Sequence, residues 1–259
     1  MLLALDIGNT ETTVGLFTGD QLDGHWRLHT TPQRTPDEWA SALTAYLTQA
    51  GHSTQEVRAA IVASVAPQVT QSVCEGITLA TTRAPLLVDG RSKLPITLDV
   101  DEPLTVGADR IVNTLAASQL FKRDTIVVDF GTATTFDCIT GDGRFIGGVI
   151  MPGIRTAADD LVRKTAKLPA TELTPPAHVI GRRTEDCIRA GVLWGTADAV
   201  DGLVRRIKAE WPNKRMPHTV ATGGLATVVA PLSKEIESVH PDLTLVGLRL
   251  AAAALGVAW

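Results

Sequence analysis

Two stretches of the chain decide the fold: LALDIGNTETTVGLFTGD at residues 3–20 and IVVDFGTATTFDCITGD at residues 126–142. The D-I-G of residues 6–8 aligns with the D-F-G of residues 129–131, and each stretch ends in Gly-Asp. In both, an apolar run ends in aspartate, a glycine-containing turn follows, and a threonine-rich run leads on. This pattern predicts one β-hairpin with a tight polar tip in each half of the chain.

Such a tip suits phosphate binding, because glycine lets the backbone approach a ligand closely and Thr or Asn adds short hydrogen-bonding groups. Two tips can hold a polyphosphate chain between them, with the aspartates placed to hold cations near it. A single hairpin of this kind is usually just a hairpin. The repeat at half the chain length is what favours a nucleotide-binding function.

Composition limits the classes of partner. With 259 residues the chain is long enough for two lobes, which we place at residues 1–122 and 123–259. The net charge of −4 and the lack of a long basic run argue against a nucleic-acid partner. No signal peptide or membrane-spanning run is evident, and three widely spaced cysteines fit a reducing cytoplasm.

The two halves of the chain are predicted to have similar orders of strands and helices. The first half is predicted as βββαβαβ, with the first helix starting at Pro36 behind a capping box from Thr35 to Glu38. The second half repeats three strands before a helix from Ile154. A last, alanine-rich helix at residues 247–257 is expected to pack on the second sheet.

The string G-A-D-R at residues 107–110 opens a helix and places Asp109 in its first turn. Taken alone, Asp109 is a carboxylate that complements the helix dipole. Other motifs follow along the chain: GGVIMPGI at residues 147–154, GRRT at residues 181–184 and ATGG at residues 221–224. Neither a P-loop nor a dinucleotide-binding glycine fingerprint is present.

The order of these motifs, over nearly the whole chain, resembles the type III pantothenate kinase family. That family lies within the superfamily of acetate and sugar kinases, Hsp70 chaperones and actin. The resemblance implies a duplicated two-lobe α/β fold of the ribonuclease H-like or actin-like ATPase type, with a mixed five-stranded sheet flanked by helices in each lobe. It also implies phosphorylation of pantothenate by ATP to 4′-phosphopantothenate, the first step of coenzyme A biosynthesis, by a homodimer.

The resemblance further implies a set of nucleotide-binding residues. The first hairpin would bind phosphates, with Asp6 helping to hold Mg2+, and the second would contribute Thr132. Asp129 would help hold a monovalent cation, potassium or ammonium. The expected ATP-binding residues are Asp6, Ile7, Gly8, Asn9, Thr10, Glu11, Thr12, Thr13, Thr132, Gly223 and Gly224.

The expected substrate-binding residues are Val100, Gly107, Ala108, Asp109, Arg110 and, across the dimer interface, Thr184. Asp109 would accept the proton of the pantothenate hydroxyl. Its place at a helix N-terminus predicts an ionised carboxylate that is a weaker base than usual. Thr184 taken alone would be a helix cap.

Three positions depart from the family pattern. Val100 stands where relatives carry an aromatic residue, commonly Tyr; Glu11 puts a negative charge near the expected phosphates; Ala157 stands where relatives often have Ser. The first two departures leave two other functions open. One is a non-catalytic ATP-binding regulator on the same fold, and the other is a kinase for a different small hydroxylated acid.

Overall fold

The computed structural model describes residues 1–212 and 215–259. The chain forms two compact units, one of residues 1–116 with residues 243–259, and one of residues 117–242. The C-terminal segment therefore belongs with the N-terminal unit, whereas the sequence pattern had placed it in the second lobe. In the part of the chain that is described, no helix is both long and apolar enough to cross a bilayer.

The first unit is built on a mixed sheet. Its strands are β1 (Leu2–Ile7), β2 (Glu11–Thr18), β3 (Gln21–His29), β4 (Ala59–Ser64) and β5 (Leu86–Val88). They lie in the order β3-β2-β1-β4-β5. The hairpin strands β1, β2 and β3 are antiparallel, and β4 and β5 run parallel to β1. A two-residue strand, β6 (Thr97–Leu98), lies in the loop that precedes the G-A-D-R string.

Helices cover the first sheet because their apolar faces pack against the apolar side chains of its strands. They are α1 (Pro36–Gln49), α2 (Pro67–Thr81) and α3 (Ala108–Phe121). The predicted capping box of α1 is present: the amide of Glu38 donates to the Thr35 hydroxyl, and the amide of Thr35 donates to the Glu38 carboxylate. The α1 and α2 helices pack on one face of the sheet, around the fully buried Trp39.

The second unit repeats this plan. Its strands are β7 (Thr125–Phe130), β8 (Ala133–Ile139), β9 (Arg144–Pro152), β10 (His218–Thr222) and β11 (Ser238–Val239). These strands lie in the order β9-β8-β7-β10-β11, with β7 to β9 antiparallel and β10 and β11 parallel to β7. Strand for strand this is the order of the first sheet, so the predicted duplicated α/β fold is confirmed.

The helices of the second unit are α4 (Ile154–Arg163), α5 (Thr184–Arg189), α6 (Gly195–Glu210) and α7 (Ala226–Val229). A five-residue π-helical turn, Ala190–Trp194, separates α5 from α6. The buried aspartate Asp124 ties this unit together, since its carboxylate accepts hydrogen bonds from the Gly141 amide and the Trp211 indole.

The last helix, α8 (Leu243–Ala254), corrects one expectation, because it packs in the first unit and not on the second sheet. Its buried residues join the cluster formed by β1, β4 and α3. Gly247 makes this contact possible: a Cβ atom there would lie 2.2 Å from the carbonyl oxygen of Val112 in α3. The small residues of α8 thus serve close helix–helix packing within the first unit.

Candidate active site

The tip of the first hairpin closes between Gly8 and Glu11. Asp6 pairs with Thr13 and Ile7 with Thr12, and the Gly8 amide donates to the Glu11 carbonyl over 3.0 Å. A Cβ atom on Gly8 would stand 2.8 Å from that carbonyl oxygen. Glycine is therefore required for a tip this tight.

The predicted phosphate-binding residues of this hairpin divide into two groups. Asn9, Thr10 and Glu11 are exposed at the tip, and Asp6, Gly8 and Thr13 are partly exposed beside it. Ile7 and Thr12, in contrast, are fully buried. The Thr12 hydroxyl lies 2.9 Å from the hydroxyl of Thr30, so its side chain supports the hairpin from inside and does not reach the tip surface.

Val65, a residue that the sequence patterns did not indicate, lies between the end of β1 and the G-A-D-R turn. The Val65 amide donates to the carbonyl of Ile7 over 3.0 Å. On its other side, Val65 approaches Gly107: a Cβ atom on Gly107 would lie 3.2 Å from Val65 Cγ1 and 2.5 Å from Asp109 Oδ1. Two motifs of the first unit, D-I-G and G-A-D-R, are thereby brought together.

The electrostatics of Asp109 differ from expectation. Burial raises the pKa of the Asp109 carboxyl above its ordinary value, and the amide and charge of Arg110 offset only part of this effect. The Arg110 amide donates to Asp109 Oδ1 over 2.8 Å. The prediction of a weaker base was therefore wrong, because desolvation outweighs the helix N-terminus. A raised pKa makes the carboxylate a stronger base.

The other predicted substrate-binding residues of the first unit are those of the G-A-D-R turn itself and Val100 in the preceding loop. Ala108 is buried, and Arg110 and Gly107 are partly exposed. Val100 follows β6 and is partly buried. The loop path is fixed at Gly90, where a Cβ atom would stand 2.9 Å from the carbonyl oxygen of Pro103.

The tip of the second hairpin is one residue shorter than that of the first. Asp129 pairs with Thr135, and the Gly131 amide donates to the Ala133 carbonyl over 3.1 Å. Thr132 is exposed at this tip. In β1 and β7 alike, the aspartate is the one residue of the strand that is not fully buried, so both carboxylates lie where a strand reaches the surface.

The ATGG loop meets the second hairpin at Asp129. Thr222 in β10 pairs with Asp129 in β7, and the chain then turns at Gly223 with φ of +89°. Gly224 is exposed immediately after this turn. The predicted cation-binding carboxylate and the predicted adenosine loop thus lie side by side within the second unit.

The GRRT string lies elsewhere in this unit. Thr184 is the first residue of α5 and is exposed. The residue preceding the helix is Arg183, and no side chain caps it, so Thr184 is not a helix cap. Gly181 packs against the helix start, where a Cβ atom would meet the Cys187 amide nitrogen at 2.5 Å.

Comparison with known proteins gives one family. The family model described as type III pantothenate kinase matches residues 2–206. The chain belongs to the type III pantothenate kinase family. The type III pantothenate kinase of Thermomicrobium roseum is 43% identical over 251 residues, which cover 97% of this chain and 96% of that one.

Solved structures support the fold alone. The chain is similar to component A of (R)-2-hydroxyglutaryl-CoA dehydratase from Acidaminococcus fermentans, with a TM-score of 0.59, 15% identity and coverage of 98% and 96% of the two chains. It is also similar to the ROK hexokinase of Thermus thermophilus, with a TM-score of 0.51, 16% identity and coverage of 96% and 97%. The chain therefore shares its duplicated α/β fold with these two proteins.

The carboxylates of Asp6 and Asp129 fit cations that are shared with a nucleotide. Asp6 and Asp129 present oxygen donors at partly exposed strand ends. Within residues 1–212 and 215–259, no three His, Cys, Asp or Glu side chains are grouped closely enough to hold a metal ion. Mg2+ is commonly held by one or two carboxylates with phosphate oxygens and water, and this donor set fits that arrangement.

Proposed function

We propose that this chain transfers the terminal phosphoryl group of ATP to the primary hydroxyl of pantothenate, giving 4′-phosphopantothenate and ADP at the start of coenzyme A biosynthesis. The family match over most of the chain is the observation that carries this proposal. The contacts of Val65 with Ile7 in β1 and with Gly107 in the G-A-D-R turn support it physically. They bring the motif of a strand-end carboxylate suited to nucleotide binding close to the motif of a partly exposed carboxylate, Asp109, suited to proton transfer.

Asp109 accepts the hydroxyl proton of pantothenate in this scheme. Phosphoryl transfer passes through a loose transition state, so positioning and charge stabilisation supply most of the catalysis. The raised pKa of Asp109 brings its base strength closer to what general-base catalysis at neutral pH requires. Gly107 leaves room for the carboxylate, and the Arg110 amide fixes one of its oxygens.

The two hairpin tips bind the phosphates of ATP, and Gly223 and Gly224 receive the adenosine. The exposed polar residues of the first tip and Thr132 of the second supply short hydrogen-bonding groups. Asp6 helps to hold Mg2+, which neutralises phosphate charge when bound. Ile7 and Thr12 act indirectly, since both are buried beneath the first tip.

Asp129 helps to hold a monovalent cation, potassium or ammonium. Its carboxylate is partly exposed at the end of β7 and lies against the turn at Gly223. A cation there would balance the charge of Asp129 beside the nucleotide.

The working form is a cytoplasmic homodimer in which Thr184 completes the pantothenate site of the partner. The exposure of Thr184 at the start of α5 supports this role. Two neighbouring apolar residues, Val179 and Ile180, are 66% and 87% exposed and precede the GRRT string. In the proposed dimer the partner subunit would cover these two side chains.

A coupled assay of ADP release tests the proposed function. Pantothenate is compared with a panel of sugars and hydroxylated acids, each with ATP and Mg2+. We expect turnover with pantothenate well above that with any other acceptor. A different preferred acceptor would indicate another kinase, and ATP binding without turnover on any acceptor would indicate a regulator.

A further inference from the structure

The backbone carbonyl of Thr132, at the tip of the second hairpin, is held by two donors from the start of α4. The Gly153 amide donates to it over 3.1 Å, and the Thr156 hydroxyl donates to it over 2.7 Å. Both donors and the acceptor lie in the second unit. The start of α4 therefore forms two hydrogen bonds to one peptide group of the tip, the carbonyl of Thr132.

Close packing reinforces this contact. A Cβ atom on Gly153 would stand 2.3 Å from the Thr132 oxygen and 2.4 Å from the Gly131 oxygen. Gly153 also precedes α4 without any side-chain cap. The helix start thus rests directly on the tip, and Thr156 is the nearby side chain that adds a hydrogen bond to it.

Holding this carbonyl orients the rest of the tip. A trans peptide is planar, so the N–H of Ala133 must point to the opposite side from the Thr132 carbonyl. Fixing one oxygen therefore fixes a backbone donor and the direction in which the exposed Thr132 leaves the backbone. Preorganised donors at a phosphate site cost no reordering when the ligand binds.

We infer that Thr156 is a positioning residue for ATP, which acts by holding the Thr132 carbonyl and so presetting the second phosphate-binding tip. This inference rests on the proposed function, in which that tip contacts phosphate. Thr156 itself is not required to touch the nucleotide.

The test uses Thr156→Val, which keeps the side-chain shape but removes the hydroxyl, and Thr156→Ser, which keeps the hydroxyl. Thr165→Val is the matched control, because the Thr165 hydroxyl donates over 2.8 Å to the Leu161 carbonyl just beyond the other end of α4. For each variant, KM for ATP, KM for pantothenate, kcat and the melting temperature are measured. Calorimetry compares the binding of a nonhydrolysable ATP analogue with that of adenosine.

We expect Thr156→Val to raise KM for ATP by about three- to tenfold, the usual worth of one hydrogen bond. KM for pantothenate and the affinity for adenosine should stay unchanged, and Thr156→Ser should restore KM for ATP to near the wild-type value. Thr165→Val should match wild type. Should Thr156→Val fail to fold, Thr156→Ala removes the same hydroxyl with better helix propensity.

The inference is overturned if Thr156→Val and Thr165→Val give the same KM for ATP. It is also overturned if Thr156→Val weakens adenosine and the ATP analogue equally, since the effect would then not concern phosphates. A wild-type protein that does not phosphorylate pantothenate would contradict the proposed function but not the role of Thr156 in ATP binding. Binding of the ATP analogue would still decide the role of Thr156.

Discussion

Gly223 lies directly against the carboxylate of Asp129. A Cβ atom at residue 223 would stand 2.4 Å from Asp129 Oδ1 and 2.7 Å from the Phe130 amide nitrogen. The backbone at Gly223 also has φ of +89°, a conformation that side-chain-bearing residues rarely adopt. The second hairpin and the ATGG loop, far apart in sequence, therefore meet at a point where only glycine fits.

Gly223→Ala should destabilise the protein and weaken ATP binding. The positive φ alone costs about 1–3 kcal/mol for a residue with a side chain, and the contact with Asp129 adds to that cost. Gly202→Ala is the matched control, because a Cβ atom there meets nothing within 4 Å and the residue lies inside α6. We expect the control to be more stable than wild type by about 0.5–1 kcal/mol. Urea unfolding of both variants checks this, and equal stability would contradict it.

Activity should depend on potassium or ammonium and should be poor in sodium alone, because Asp129 is proposed to hold the monovalent cation. Asp129→Ala should weaken this dependence. Steady-state rates are measured in chloride salts of each cation at constant ionic strength. Asp142→Ala, at the far turn of the same hairpin, serves as control and should keep the cation dependence. Equal wild-type rates in potassium and sodium would contradict a role for a specific monovalent cation.

The fold could be predicted from sequence where local patterns determine it. The two D-x-G stretches and the capping box at Thr35 predicted the observed hairpins and the observed first helix. The placement of α8 could not be predicted, because an alanine-rich helix fits either sheet and its tertiary packing against β1, β4 and α3 decides the choice. A helical pattern likewise does not reveal the π turn before α6.

The candidate site could be predicted only in part, because some of its features depend on tertiary packing and not on residue type. Motif residues such as Asp109 and Asp129 carry recognisable side chains. Val65 acts through its backbone amide and its packing, so no residue type marks it in the sequence. The raised pKa of Asp109 comes from surrounding protein that the string G-A-D-R does not encode, and the local helix-end argument gave the wrong sign.

Val100→Tyr should lower KM for pantothenate. An aromatic side chain adds apolar contact worth roughly 1–2 kcal/mol, which is about a tenfold change in affinity. Because this contact is the same in the ground and transition states, kcat should change little. Leu79→Tyr, at an exposed position of α2, is the control and should leave KM unchanged. A wild-type enzyme that already saturates at low micromolar pantothenate would show that another residue supplies the contact that the aromatic side chain makes in relatives.

Thr184 should act across the dimer, which can be tested by mixing subunits. Thr184→Ala and Asp109→Asn should each impair turnover at low pantothenate. When the two variants are coexpressed, random pairing gives mixed dimers as half of the total. Each mixed dimer has one intact site out of two. About a quarter of wild-type activity should therefore return. Light scattering checks the dimer itself. A fully active monomer, or no recovery in the mixture, would contradict the shared site.

The pH dependence of Asp109 should follow from its raised pKa. Only the carboxylate form accepts a proton, so kcat/KM for pantothenate should fall as pH drops through that raised pKa, above the value of about 3.9 for an ordinary aspartate. The folded protein binds this proton more tightly than the unfolded chain does. Desolvation of Asp109 therefore costs stability at neutral pH. This cost declines as pH falls below the raised pKa and is gone below the ordinary pKa of the unfolded chain. Asp109→Asn should be at least as heat-stable as wild type at neutral pH.

The most direct test of the account is the turnover of Asp109→Asn at saturating ATP and pantothenate. Asp37→Asn is the control, since Asp37 is an exposed first-turn carboxylate of α1. We predict that Asp109→Asn folds and binds ATP as wild type does but loses turnover by about 10²–10⁴-fold, the usual worth of a general base, while Asp37→Asn keeps full activity. Near wild-type turnover of Asp109→Asn would show that Asp109 only complements a helix end, and the proposed mechanism would be wrong.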